Sequence, residues 1–309
     1  MPPFPAPPET VTPDSEHKSL AERLPQPARD YALLARFDRP IGWWLLFWPC
    51  AWGVWLAGAG LQWQLIAWLL LGSVAMRSAG CVYNDIVDRD LDKSVARTAS
   101  RPIASGRVSL KAAWVWLLAL CGVGLVVLLM LPRMEAQLVA LGSLALVAAY
   151  PFMKRITWWP QAWLGLVFTW GALVGWFALR DDMLGVPLAL YAGAFFWCMG
   201  YDTIYAMQDR EDDALVGIKS SALRLGNRVK PGVALFYAVA VALWAFAFWQ
   251  LRSDWIALLA LVPAAVHLGW QVATLDGEDP ANPLNRFRSN RFAGALVAAA
   301  CFVVGNSGG

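Results

Sequence analysis

Histidine is nearly missing from this chain: among 309 residues only His17 and His267 occur, and neither neighbours a motif, which removes most histidine-based catalysis and haem ligation. Charge is scarce as well. Charged residues make up 15% of the sequence, against roughly 25% in ordinary soluble domains, so a soluble globular protein is excluded. The cysteines are few and scattered. Cys50, Cys81, Cys121, Cys198 and Cys301 lie in apolar segments without paired spacing, so neither a disulfide framework nor a zinc site is expected, and buried free thiols are the plain reading. No secretory h-region opens the sequence, and the acidic residues near its start argue against a mitochondrial transit peptide.

What the chain does have is apolar length. Hydrophobic residues make up 59% of it, and runs of about 20 residues, enough to cross a bilayer as helix, fall near 41–61, 62–83, 112–132, 135–153, 161–179, 184–206, 232–251, 254–274 and 290–305. The expected fold is an all-α integral membrane protein of about nine transmembrane helices, arranged as two four-helix halves plus a ninth helix. Residues 1–30 are Pro-rich with mixed charge and read as a disordered cytoplasmic extension. Residues 31–305 read as one transmembrane domain and 306–309 as a flexible tail. With the N-terminus inside, all basic residues except Arg133, Arg180 and Arg252 fall in inner segments, as the positive-inside rule requires. A bacterial inner membrane is the expected location, multi-pass, with the motifs described next facing the cytoplasm. A mitochondrial inner membrane is the alternative. The partners expected are small molecules and the lipid bilayer, not nucleic acid, and no feature bears on oligomeric state.

Two acidic stretches organise the rest. Cys81 to Asp92, CVYNDIVDRDLD, closes the second apolar run; on a helix Asn84 and Asp88 lie one turn apart, and Asp85, Asp88 and Asp92 at i, i+3 and i+7 share one face. Gly200 to Asp213, GYDTIYAMQDREDD, repeats the arrangement after another apolar run, with Asp202, Tyr205, Asp209 and Asp213 at i, i+3, i+7 and i+11. Carboxylate and amide oxygens suit Mg²⁺, which takes one or two protein carboxylates and completes its shell with water and phosphate oxygens. Two such faces can hold divalent cations between them. Ordinary interfacial loop charge is the bland reading, but it gives no reason to set Asn, Asp and Tyr on one helical face twice.

Basic residues flank both stretches. RTASRPIASGRV supplies Arg97, Arg101 and Arg107, YPFMKR supplies Lys154 and Arg155, and GIKSSALRLG supplies Lys219 and Arg224. Each alone reads as a topology determinant or headgroup contact; clustered beside acids they suit a diphosphate held through a metal and by charge-assisted hydrogen bonds. Arg36 and Arg39 sit at the start of the first span, as interface charges. Arg77 lies seven residues before Asn84 on the same face, and snorkelling competes there with a direct role. Gly171 and Gly175 give a small-xxx-small spacing that permits close helix packing.

Taken together, NDIVDRDLD, RTASRPI, YPFMKR, DTIYAMQDREDD and GIKSSALRLG resemble the UbiA superfamily of intramembrane prenyltransferases, from about Arg36 to the ninth helix. The first motif is similar to the family pattern NDxxDxxxD through Asn84, Asp85, Asp88 and Asp92, and the second to DxxYxxxDxxxD through Asp202, Tyr205, Asp209 and Asp213. The wording is nearest to members that prenylate 4-hydroxybenzoate in ubiquinone biosynthesis. The resemblance implies a central cavity open sideways to lipid, Mg²⁺ as cofactor, a polyprenyl diphosphate donor and 4-hydroxybenzoate as acceptor. It implies Asn84, Asp85, Asp88, Asp92, Asp209 and Asp213 as metal ligands. Arg39, Arg77, Asn84, Arg101, Lys154, Arg155 and Lys219 become candidates for binding substrate, and Asp202 and Tyr205, with Asp88 and Asp209, for catalysis. The competing readings are a member of the same superfamily with a haem, naphthoate or chlorophyll-type acceptor, and a secondary transporter. Charge concentrated at one membrane face speaks against the transporter.

Overall fold

The structure is a computed structural model and describes residues 16, 23–26, 28–94, 98–208, 210, 217 and 219–307. Every regular element among them is helical: α1 (Ala28–Leu34), α2 (Ile41–Leu56), α3 (Trp63–Val87), α4 (Arg89–Ser94), α5 (Leu110–Leu129), α6 (Met134–Ile156), α7 (Pro160–Phe168), α8 (Gly171–Phe177), α9 (Gly185–Tyr205), α10 (Ser221–Leu225), α11 (Val229–Leu251), α12 (Trp255–Leu259), α13 (Val262–Ala273) and α14 (Ala281–Asn306). Most of the expected extension and the last residues of the tail lie outside the described residues. Helix α1 already opens at Ala28, inside the range expected to be extension, because Leu33 and Leu34 bury an apolar face there.

Among the described residues six helical stretches are long and apolar enough to cross a membrane: Trp63–Val87, Leu110–Leu129, Met134–Met153, Ser221–Leu251, Trp255–Ala273 and Ala281–Asn306. The protein is an all-α, multi-pass membrane protein. Two of the expected spans are broken. The window 161–179 divides into α7 and α8, where Thr169 turns its hydroxyl back onto the Gly165 carbonyl at 2.8 Å, a bond that competes with regular helix. The window 254–274 divides into α12 and α13, since Pro263 offers no N–H and its ring crowds the carbonyl four residues earlier, at Leu259, the last residue of α12.

The chain forms two compact units that interleave in sequence and so do not coincide with the expected first and second halves: Met1–Trp43 with Leu71–Val127, and Trp44–Leu70 with Leu128–Gly309. The core of the first gathers Leu34, Ala79, Val82, Ile103, Val108, Ala113, Leu117 and Leu120. On α3 Ala79 and Val82 stand at i and i+3, and on α5 Ala113, Leu117 and Leu120 at i, i+4 and i+7, spacings that line one helix face. In the second unit α8 lies close on α2. A Cβ at Gly171 or Gly175 would overlap Cys50, and one at Gly53 would overlap the Ala172 carbonyl, so the small-residue spacing is used for close backbone approach. Helix α9 packs along α11 and also meets α14.

A buried polar knot joins these last helices. Trp197 donates to Asn290 Oδ1 at 2.8 Å, Tyr237 donates to Gln271 Oε1 at 2.8 Å, and Asn290 Nδ2 donates to the same Gln271 oxygen at 3.3 Å. Lipid offers no substitute partner for such groups, so they hold α9, α11, α13 and α14 in register.

Candidate active site

Helix α3 runs to Val87, so Asn84 and Asp85 end it on helical backbone; Asp88 falls in a turn and α4 resumes at once. Backbone bonds from Asp88 N to the Asn84 carbonyl at 2.9 Å and from Asp92 N to the Asp88 carbonyl at 2.8 Å carry the i to i−4 pattern across that turn. Asp85 and Asp92, two turns apart, therefore still present one face. Both reach one guanidinium: Arg101 Nη1 donates to Asp92 at 2.8 Å and to Asp85 at 3.2 Å. From the other side Arg36 Nη2 donates to both Asp85 oxygens at 2.9 Å, while its Nη1 donates to the Leu33 carbonyl at 2.9 Å.

The exposures are what make this arrangement costly. Asp85, Asp88 and Asp92 are 1%, 0% and 5% exposed, and a carboxylate removed from water costs several kcal/mol unless opposite charge and hydrogen bonds answer it. Arg36 answers from a left-handed backbone, φ 58°, a conformation that costs a side-chain-bearing residue about 1–2 kcal/mol. Burial, the largest single effect, pulls its guanidinium down, but Asp85 together with Cys81 and Asp38 outweighs it and holds Arg36 above the ordinary arginine value. Burial pushes the Asp92 carboxyl up; Arg101 works against the shift and Asp85 adds to it, and the net direction is up. Leu33, Arg36, Asp38, Arg39, Ser100, Arg101 and Pro102 line a cleft of about 20 Å³, space for one water. In it Arg39 Nε donates to Asp38 at 3.2 Å.

Arg36 was expected only as an interface charge, and its partner lies 49 residues away, beyond the reach of any spacing rule. Replacing Arg36 by Met should destabilise the detergent-solubilised protein by about 3 kcal/mol, the low end for breaking a buried pair, because Arg101 still serves Asp85. Adding Asp85→Leu should recover much of that loss, since the uncompensated charge is gone. Thermal unfolding of the two variants measures both effects; a double variant no more stable than the single would contradict the pairing.

The remaining basic candidates separate. Arg107, expected beside the acids, instead donates to Asp30 of α1 at 2.8 Å and to the Ser100 carbonyl at 2.8 Å, which ties α1 to the loop that carries Arg101. Arg77 donates to Cys81 Sγ one turn on, and the absence of a side chain at Gly42 leaves room for its guanidinium. Lys154 and Arg155 lie in the last turn of α6. Lys219 donates to the Ile156 carbonyl at 3.3 Å, at the carbonyl end of α6 where a cation is favoured, and sits 5.8 Å from the Trp158 ring. Arg97 lies outside the described residues.

Of the second motif, Asp202 and Tyr205 stand on the last turn of α9, and Tyr205 packs on Phe287 with centroids 4.6 Å apart. Helix α9 ends at Tyr205 instead of continuing through the motif: Ala206 N bonds both the Asp202 and Ile204 carbonyls, the tightened last turn of a closing helix. Asp209 and Asp213 lie outside the described residues.

Among the described residues no three His, Cys, Asp or Glu side chains converge as a closed cation cage. The donor set nevertheless fits Mg²⁺. It is all oxygen, three of its carboxylates are buried, and guanidinium cations already stand against two of them. A hard cation that keeps water and takes phosphate oxygens needs only one or two such carboxylates.

The chain matches known proteins along most of its length. A family model described as the UbiA prenyltransferase family matches residues 46–299. The mitochondrial 4-hydroxybenzoate polyprenyltransferase of Caenorhabditis elegans is 42% identical over 285 residues, covering 90% of this chain and 79% of that protein. The apo structure of a UbiA homologue from Aeropyrum pernix superposes with a TM-score of 0.68 at 26% identity, covering 84% of this chain and 97% of that one. A UbiA homologue from Archaeoglobus fulgidus solved with GPP and Mg²⁺ shares the fold, with a TM-score of 0.67 at 21% identity over 89% of this chain and 99% of that one.

Proposed function

Because the chain belongs to the UbiA prenyltransferase family, we propose that it transfers a polyprenyl group from polyprenyl diphosphate to the ring carbon ortho to the hydroxyl of 4-hydroxybenzoate, a step of ubiquinone biosynthesis. The observation that carries the reading is the set of buried carboxylates, Asp85, Asp88 and Asp92, at the end of a membrane span. Its acceptor follows the relative from Caenorhabditis elegans, whose name states that activity. The reaction breaks the allylic C–O bond of the donor, forms a C–C bond to the ring and releases diphosphate and the ring proton.

Asn84, Asp88, Asp209 and Asp213, with Asp85 and Asp92 beside them, are the proposed Mg²⁺ ligands. Mg²⁺ held by these residues would supply positive charge to the diphosphate leaving group. Arg101, Lys154, Arg155 and Lys219 add fixed positive charge toward the same leaving group, and charge that is in place before the reaction lowers its barrier without reorganisation. Arg39 and Arg77 are further substrate-binding candidates. Asp202 and Tyr205 orient the acceptor hydroxyl and draw its proton, which raises the electron density of the ring carbon under attack. We place the protein in a bacterial inner membrane, crossing it nine times with both motifs cytoplasmic; the relative's mitochondrial location marks the other setting to test.

Membranes carrying the protein, supplied with Mg²⁺, radiolabelled geranyl diphosphate and 4-hydroxybenzoate, should form the prenylated acid with one diphosphate released per product. Diphosphate release without a prenylated acid would reject the acceptor, and no consumption of the donor would reject the reaction.

A further inference from the structure

Arg286 of α14 lays its guanidinium over the Trp270 ring of α13, 4.1 Å from the centroid. Trp270 also meets the His267 ring at 5.3 Å, and His267 Nε2 lies 3.2 Å from the Ser289 carbonyl, so the platform under Arg286 is held between the two helices. Among the described residues Arg286 enters no ion pair, and its Nε is buried without a hydrogen-bond partner. A ring attracts the cation through its face, but it does not accept from the fork of N–H donors as a carboxylate or phosphate does.

The neighbouring charges leave Arg286 unanswered. Two of the carboxylates nearest in sequence are engaged with loop backbone: Asp276 Oδ1 accepts from Glu278 N at 2.9 Å and Asp279 Oδ1 from Ala281 N at 2.9 Å. Asn282 ties the same loop down, donating to the Thr274 carbonyl at 3.1 Å and accepting from Asp276 N at 3.1 Å. Lys230, another cation at this end of α13, donates to the Ala273 and Leu275 carbonyls at 3.0 and 3.4 Å. Arg288 and Arg291 follow Arg286 within two turns of α14, so cationic charge accumulates where one guanidinium still lacks an anion.

The place suits a lipid. Trp270 stands one turn before the end of Trp255–Ala273, a stretch long and apolar enough to cross a membrane, and Trp is favoured where such a stretch meets the headgroups. Along α13, Val262, Val266 and Trp270 are exposed at i, i+4 and i+8, a stripe on one helix face about 12 Å long. An acyl chain laid on that stripe brings the phosphate at its head to Arg286. We propose that Arg286 and Trp270 form a binding site for an anionic phospholipid, its phosphate on the guanidinium and an acyl chain along Val266 and Val262. Basic pockets between membrane helices recognise anionic headgroups in this way, and the guanidinium fork matches phosphate oxygens in pairs. The site takes no part in the reaction proposed above.

Purified protein in detergent, immobilised, should retain radiolabelled phosphatidylglycerol saturably, with half-saturation at about fivefold lower concentration than phosphatidylcholine of the same chains. Arg286→Gln should raise the half-saturation concentration for phosphatidylglycerol about tenfold, and Trp270→Leu, which keeps an apolar side chain but removes the platform, about threefold. Arg228→Gln, at an exposed arginine outside the site, should change it by less than about twofold. Saturating phosphatidylglycerol should also raise the melting temperature of the parent protein, and should do so far less in Arg286→Gln. Equal retention by the parent protein and Arg286→Gln, or an equal loss in Arg228→Gln, would overturn the inference and leave only a general attraction of anionic lipid to a cationic surface. Inorganic phosphate in excess should not displace the lipid. Displacement by it would show an anion pocket with no use for the acyl chain, and displacement by geranyl diphosphate at matched concentration would assign the site to the donor; either result overturns the proposal. If Arg286→Gln fails to accumulate in membranes, Trp270→Leu decides the matter by the same two measurements.

Discussion

Replacing Asp88 by Asn should lower kcat for prenyl transfer by about a thousandfold while the protein still inserts and melts near the parent temperature. Asp88 is fully buried at the turn between α3 and α4, and Asn keeps its shape and one oxygen while discarding the charge. Burying a neutral amide is cheaper than burying a carboxylate, so the fold has no cause to fail. Chemistry does, because one preorganised group aimed at developing charge is worth about 10²–10³ in rate. Removal of Mg²⁺ by EDTA should lower turnover of the parent protein at least as far. Turnover that survives chelation would dispose of the metal altogether, and an Asp88→Asn protein with parental kcat would remove this carboxylate from the site.

The methyl ester of 4-hydroxybenzoate should be an acceptor about 10⁴-fold poorer than the acid in kcat/KM. Discrimination of that size arises where a site built for a polar group is left with its own buried polar partner unanswered. A low-dielectric cavity makes the unanswered group a cation, the expensive case. Donor length should matter far less, because the charged groups read the diphosphate and nothing in them measures the tail; donors from short to long isoprenoids should fall within about tenfold of one another in kcat/KM. Competition between the acid and its ester, run with each donor on purified protein, reads both effects. Equal use of acid and ester would take the carboxylate out of recognition, and a sharp optimum in donor length would mean that the cavity is closed at its far end.

The membrane character and most helix positions were legible because they rest on local quantities: apolar run length, and the spacing of Asn84, Asp85, Asp88 and Asp92 along one face. The breaks inside 161–179 and 254–274 were not marked as breaks, although Pro263 is visible and Gly171 follows two residues after Thr169, because run length averages over single residues. The partners of the acids were beyond local reading altogether. Arg36 and Arg101 meet at Asp85 from 49 and 16 residues away, and nothing in either local sequence names the other. Arg107 shows the opposite error: it lies next to the motif in sequence, yet it serves Asp30. Gln271 and Asn290 carried no signal either, since a single polar residue in an apolar run looks alike whether or not a partner waits for it.

The break between α7 and α8 bears on how the chain is made. At nine and seven residues, these helices measure about 14 and 10 Å, too short for either to cross the hydrocarbon alone, while the Thr169 and Trp170 carbonyls at the break are answered within the chain by Ala172 N and Leu173 N at 3.0 Å. Its cover comes from earlier in the chain. Trp163 and Trp170 donate to the Leu146 and Val139 carbonyls of α6 at 2.7 Å, and Gly171 and Gly175 lie on Cys50 of α2. Synthesis runs from N- to C-terminus, so by the time this segment leaves the ribosome both of its shields have already been translated. A nascent chain halted after Arg180 would hold all of these contacts, and the segment least able to enter lipid unaided need never do so.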